Sequence, residues 1–167
     1  MLAHESGRCN AFDTYLPRRP RLCHNRAILN ETEIALDGSI DELERLVTTV
    51  ADFCRRHALD DNVEFDLNLV LEELFTNSLR HGGCQGVPAA ADIRLRLLPA
   101  GVELQYRDRG LAFNPLEAPE PDLTAPLMDR KIGGLGVHLV RQIMQDVRYH
   151  RSADTNEVTM IRRMDPK

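Results

Sequence analysis

The apolar residues of this chain change their spacing at one point, and that change constrains the fold more than any other feature. From Leu43 to Leu74 they recur at helical intervals; past Gly82-Gly83, from Ile93 to Tyr106, they alternate with polar residues. Leu43, Leu46, Val47, Val50 and Cys54 make one helical stripe, and Leu67, Val70, Leu71 and Leu74 make a second. Ser39, with Glu42 three residues on, reads as a capping box for helix one, which should end near His57. Asp61 and Glu64 repeat that start signal for helix two. After the glycines, Ile93, Leu95 and Leu97 alternate with Asp92, Arg94 and Arg96. Pro99-Ala100-Gly101 turns the chain, and Val102, Leu104 and Tyr106 alternate again, which predicts a β-hairpin. A strand over 32–36 should precede helix one. A third helix should run from about 134–136 to 146. Two strands, over 147–152 and 158–163, should close the chain around the turn residues Asp154-Thr155-Asn156. The expected fold is α+β: a two-layer sandwich of a mixed, mainly antiparallel sheet with helices on one face.

A length of 167 residues fits one domain, and 43% hydrophobic residues suffice for one core. With no Trp, that core must be built mainly of Leu, Val and Ile. The net charge of −5 argues against general nucleic-acid binding, which needs clustered Lys and Arg. Cys9, Cys23, Cys54 and Cys84 contain no C-x-x-C spacing and read as reduced thiols. No apolar run reaches membrane-spanning length, and the N-terminus has no signal-peptide core. The expectation is a cytoplasmic protein with no membrane or nucleic-acid partner. Residues 1–28 hold Arg8, Arg18, Arg19, Arg21 and Arg26 with Pro17 and Pro20, and lack apolar periodicity. They read as a flexible basic tail, with a partner-binding arm as the alternative, ahead of a domain over 29–167.

Three clusters have chemical content. On helix two, Glu73, Asn77 and Arg80 fall within about 60° of one another at about 100° per residue, beside the apolar stripe. A carboxylate and an amide oxygen one turn apart suit a hard cation and its water; a plain solvated helix face is the alternative. Asp108-Arg109-Gly110 ends a predicted strand, where the carboxylate can accept from an amine, or simply make a turn. Arg130-Lys131 leads into Gly133-Gly134-Leu135-Gly136 at a helix start, where free N–H groups favour a phosphate; a flexible linker is the alternative. This third cluster is neither a Walker A loop, lacking G-K-[ST], nor a good dinucleotide fingerprint, since Leu139 fills the third glycine position.

In this order, the clusters resemble the N, G1 and G2 boxes of the gyrase, chaperone, histidine-kinase and MutL ATPase superfamily. They are most similar to its small anti-sigma-factor kinase branch. The likeness rests on Glu73-x-x-x-Asn77 with His81-Gly82, on Asp108 to Pro115 as D-x-G-x-x-F-N-P, and on a short lid ending at Gly136; it covers roughly 30–163. Asn114 stands where the branch often has Asp. The resemblance implies an ATP-binding sandwich. In it Asn77 binds Mg²⁺, Asp108 binds adenine, and Glu73 is the general base for a substrate serine. Arg80, His81, Gly110, Ala112, Phe113, Arg130, Lys131, Gly133, Gly134, Leu135 and Gly136 complete the nucleotide site. It further implies ATP and Mg²⁺ as cofactors and an anti-sigma-factor antagonist as protein partner, with a sigma factor as a second candidate. A sheet edge and the outer face of helix one are the surfaces available for a homodimer. The alternatives are a non-catalytic nucleotide-dependent binding module that sequesters a sigma factor or other regulator, and the detached ATPase domain of a two-component system.

Overall fold

The computed structural model describes residues 30–117 and 135–164. In chain order the elements are β1 (Glu31–Leu36), α1 (Glu42–Arg56), α2 (Asp61–Arg80), β2 (Ala91–Leu98), β3 (Gly101–Asp108), α3 (Leu135–Ile143), β4 (Gln145–Ser152) and β5 (Thr155–Arg163). The strands form one sheet in the order β1-β2-β3-β5-β4. Every described pairing is antiparallel, so the sheet has no parallel component among the described residues, where a mixed sheet was expected.

Alternation sorts the sheet into two unlike faces. Leu36, Ile93, Leu95, Val102, Leu104, Tyr106, Val158 and Met160 point one way and are buried. They meet Leu46, Val50 and Phe53 of α1 and Leu67, Val70, Leu71, Leu74 and Phe75 of α2 in one core. The other face is laced with cross-strand ion pairs: Arg94–Glu31 at 2.6 Å, Arg96–Glu103 at 2.7 Å and Arg107–Glu157 at 3.4 Å. Pairs this exposed contribute little stability each. Their consequence is architectural, because a face of opposed charges stays in water and leaves only one side for helices.

Several local expectations need correction. No capping box forms at α1. Ser39 lies ahead of a turn, its hydroxyl accepts from the Asp41 N–H at 3.3 Å, and the helix begins at Glu42 with no side-chain cap. Val47 is 47% exposed, and Phe53 takes its place in the core. At 100° per residue, position 53 lines up with 46 and 50 within a few tens of degrees, whereas 47 swings to the flank. Helix α2 begins at Asp61 as expected, but its N-cap Asp60 likewise makes no side-chain cap. Helix α3 stops at Ile143 instead of running to 146, because Asp146 adopts φ 53° and a bulge between Gln145 and Arg148 starts β4 early. The closing turn is tighter than expected: Ala153 takes the left-handed conformation at φ 51°, and Thr155 and Asn156 already belong to β5.

The expected tail over 1–28 lies outside the described residues, and so does the expected lid over 118–134. Of the four cysteines, Cys54 and Cys84 are described, and both are free and buried. No described helix is long and apolar enough to cross a membrane.

Burial, reinforced by Glu64, pushes the Cys54 thiol up to about 11 from an ordinary value of 9.0. Between those values the unfolded chain loses this proton and the folded chain keeps it. The contribution of Cys54 is therefore whole below pH 9 and is lost as pH rises through about 11. Urea unfolding should show wild type more stable than Cys54→Ala at pH 8, with the gap narrowing steadily toward pH 10.5.

Candidate functional site

The last turns of α2 supply one wall of the site. Glu73 and Asn77 are half-buried and touch: Asn77 Nδ2 donates to Glu73 Oε1 at 2.9 Å. That bond uses the donor end of the amide and leaves Asn77 Oδ1 without a partner among the described residues. Beyond Asn77 the helix closes. The N–H groups of His81 and Gly82 both reach the Asn77 carbonyl, at 2.8 and 3.1 Å. Arg80 and His81 are exposed at this helix end, so the expected polar stripe is divided: its first two members are partly buried together and the third faces solvent.

Gly82 joins α2 to the second cluster, since its carbonyl accepts from the Leu111 N–H at 2.8 Å. Asp108 ends β3 and is only 8% exposed. A carboxylate that far from water must be surrounded by donors. Its Oδ1 accepts from the Gly110 N–H at 2.8 Å and from Asn156 Nδ2 at 2.9 Å, and its Oδ2 accepts from the Ser78 hydroxyl at 3.1 Å. The Tyr106 hydroxyl donates to Ser78 Oγ at 2.8 Å. Burial raises the Tyr106 hydroxyl well above its ordinary range, which keeps that proton available to donate. Burial and the Asp108 charge likewise push the neighbouring Cys84 thiol up.

Gly110 is required by what surrounds it and not by its backbone conformation. Its φ is not in the left-handed region. A Cβ there would stand 2.8 Å from both Asp108 Oδ1 and the Gly82 carbonyl, so close approach excludes every other residue. Ala112 and Phe113 follow in the loop and are exposed. The Asn114 side chain accepts from the Leu116 N–H at 3.0 Å, an acceptor role in which Asn and Asp are equivalent.

The third cluster is described only from Leu135, the first residue of α3; Arg130, Lys131, Gly133 and Gly134 lie outside the described residues. Gly136 packs directly on Glu73: any side chain at 136 would overlap the Glu73 carboxyl group. The first turn of α3 therefore rests on the Glu73–Asn77 pair. Arg141 Nη2 donates to the Pro115 carbonyl at 2.7 Å and ties α3 to the loop after β3. The structure thus brings Glu73, Asn77 and Gly136 together at one end and collects Asp108 and Gly110 under α2 at the other.

Sequence reasoning missed Ser78, Tyr106, Tyr149, Arg151 and Asn156. Asn156 gave no usable signal, since beside Asp154 and Thr155 it reads as a turn residue, whereas β5 holds it at 3% exposure.

The donor set fits Mg·ATP. No group of three His, Cys, Asp or Glu among the described residues could cage a metal. An ion with one amide oxygen, a neighbouring carboxylate and otherwise water and phosphate is the pattern Mg²⁺ takes. A buried acceptor at Asp108 suits an amine on a flat base.

Residues 38–162 match the family described as Histidine kinase-like ATPase domain. The chain belongs to that family. It is 32% identical over 105 residues to the Serine/threonine-protein kinase BtrW of Bordetella bronchiseptica, covering 63% of this chain and 74% of that protein. Among solved structures, the RsbU and RsbW domains of Rv1364c from Mycobacterium tuberculosis superpose with a TM-score of 0.59 at 16% identity. The match takes in 80% of this chain and 32% of that one, so this chain spans about a third of that protein's length. The likeness shows a shared fold.

Within this histidine kinase-like ATPase domain, the contact of Gly136 with Glu73 is testable by itself. Gly136→Ala must push the Glu73 carboxyl aside, at a cost of about 0.5–1.5 kcal/mol. Glu73→Ala opens the space the new methyl needs. The double variant should therefore be more stable than the sum of the single effects by at least about 0.5 kcal/mol. Urea midpoints of the four proteins measure this, and strict additivity would show that the two residues do not press on each other.

Proposed function

We propose that this ATPase domain is a cytoplasmic protein serine kinase of the anti-sigma type. It binds Mg·ATP and transfers the γ-phosphoryl group to a serine of a small anti-sigma-factor antagonist. The observation that carries the reading is the Glu73–Asn77 pair, a carboxylate and an amide oxygen partly buried together under the first turn of α3. Membership of the ATPase family and the 32% identity to a serine/threonine-protein kinase support it.

Each residue then has a task it can perform with its own atoms. Asp108 accepts a hydrogen bond from the adenine amine. Asn77 would hold Mg²⁺ through its Oδ1, and the ion would neutralise charge on the phosphates. Glu73 accepts the proton of the serine hydroxyl while the serine oxygen bonds to the γ-phosphorus and ADP leaves. Phosphoryl transfer needs little beyond such positioning, neutralisation and a base. Gly110 and Gly136 keep backbone close to the two carboxylates. The glycine run before α3, with Arg130 and Lys131, is assigned to the phosphates on its sequence alone.

Two variants test the reading. Asp108→Asn exchanges a charged acceptor for an amide and should weaken ATP binding about 10- to 100-fold in calorimetry. Unchanged affinity in the folded variant would remove Asp108 from the base site. Glu73→Gln keeps the shape and loses the proton acceptor. Phosphoryl transfer to an antagonist protein should fall about 10²–10⁴-fold, with ATP affinity held within a few-fold. Full transfer activity in this variant would end the base assignment. A wild-type chain that binds ATP tightly and never transfers phosphate would favour a nucleotide-dependent binding module.

A further inference from the structure

The sheet ends in two strands that are finished differently, β1 on one side and β4 on the other. An edge strand presents a row of unpaired N–H and C=O groups, and proteins normally blunt it. At β1 the blunting is visible. The strand has six residues, Arg45 Nη2 of α1 donates to the Ala35 carbonyl at 2.7 Å, and Glu31 and Glu33 both pair with Arg94. β4 has eight residues, and its partner among the described residues is β5. A bulge disturbs its start between Gln145 and Arg148, but from Arg148 to Ser152 the register is unbroken.

The hairpin fixes which backbone groups of that stretch are open. Ala153 and Asp154 make a two-residue turn, so Ser152 and Thr155 close the hairpin and exchange backbone hydrogen bonds. Alternation then turns the backbone of His150 toward β5 and that of Tyr149 and Arg151 toward the open edge. Side chains alternate between the two faces as well. Arg148 and His150 stand exposed on the bare face, while Val147 and Tyr149 are half-buried against the rim of the core. On the bare face Arg94, Arg96, Arg107 and Arg163 each pair with an acid. Arg148 meets no acid among the described residues, and its cross-strand neighbour is the neutral Thr159. His150 lies opposite Glu157, whose carboxylate is shared with Arg107.

We propose that the free edge of β4 is a docking strand for an extended segment of a partner protein in which acidic and apolar residues alternate. The segment adds to the sheet as a sixth strand, bonding to the open N–H and C=O groups of Tyr149 and Arg151. Its acids fall on the bare face beside Arg148 and His150, where a positive charge lacks a partner. Its apolar residues fall on the other face and extend the rim formed by Val147 and Tyr149. Charge excludes the segment of this chain ahead of β1, which holds Arg8, Arg18, Arg19, Arg21 and Arg26 against Glu5 and Asp13. β1 of a second copy is acidic, but Arg94 holds its carboxylates and Arg45 its Ala35 carbonyl.

The test uses the full chain and a short synthetic peptide of alternating Glu and Val, labelled for fluorescence anisotropy. This peptide should bind saturably. Its Lys-for-Glu version should bind at least about 10-fold more weakly. A version methylated on every backbone nitrogen keeps the charges, loses the donors, and should not bind. R148E reverses the charge of an exposed side chain and should weaken the Glu peptide about 3- to 10-fold, with urea unfolding unchanged. Hydrogen exchange followed by NMR locates the contact. The Tyr149 and Arg151 N–H groups should exchange fast in the free chain and slowly with the peptide, while that of His150 stays slow in both. Equal binding of the methylated peptide would mean a purely ionic contact and overturns the docking strand. Equal binding of the Lys peptide, or no binding of the Glu peptide, overturns it too. Slow exchange at Tyr149 and Arg151 in the free chain would mean that the edge is already filled, by this chain or a second copy, and overturns the choice of partner. The nucleotide reading stands apart from all of these results.

Discussion

The structure depends on keeping one carboxylate away from water. Asp108 sits at the end of β3, beneath α2, where an unpaired charge would be untenable. Three donors make the position tolerable, and each comes from a different part of the chain: Ser78 from α2, Gly110 from the loop after β3, and Asn156 from β5. Satisfying that group therefore couples the helical layer, the turn and the closing hairpin. It also gives a local reason for the strand order β3-β5-β4, because β5 must lie beside β3 for Asn156 to reach Asp108.

Helix α2 is the element that both layers share. One side of it, through Leu67, Val70, Leu71, Leu74 and Phe75, belongs to the core. The adjoining side carries Glu73 and Asn77 under the first turn of α3, with Ser78 one residue on in the Asp108 network. A single rigid helix thus spans the distance between the pair assigned to metal and proton and the group assigned to the base. Sites mounted on such elements hold their geometry better than sites mounted on loops. The glycines serve the same end. Gly82, Gly110 and Gly136 each lie where a side chain would overlap backbone or a carboxylate, so the site is drawn together by removing Cβ atoms.

The family relationship and the chemistry bear on different questions. Membership of the histidine kinase-like ATPase domains accounts for the sandwich and for the order of the three clusters. Whether such a domain transfers phosphate or only binds nucleotide turns on individual side chains, because one fold supports several outcomes. On the reading proposed above, that distinction rests on Glu73, a side chain that the fold by itself does not single out.

The sequence by itself determined the layers. Periodicity of 3.6 before Gly82-Gly83 and of 2 after it gave the helices and the hairpin, and opposite charges on alternate strand positions gave the bare face. It also exposed Glu73, Asn77, Asp108, Gly110 and Gly136, since their spacing along the chain is itself the signal. Element ends were less legible. The bulge at Asp146 and the turn at Ala153 depend on left-handed backbone at residues that do not announce it. What only the tertiary structure decided is which distant groups meet. Asn156 looked like a turn residue because short-range sequence makes Asn polar and turn-prone. It is buried in β5 because Asp108, 48 positions earlier, needs its nitrogen, and because Arg151 across the hairpin takes its oxygen. Hydrogen bonds between strands are set by register, and register emerges only when the whole sheet assembles.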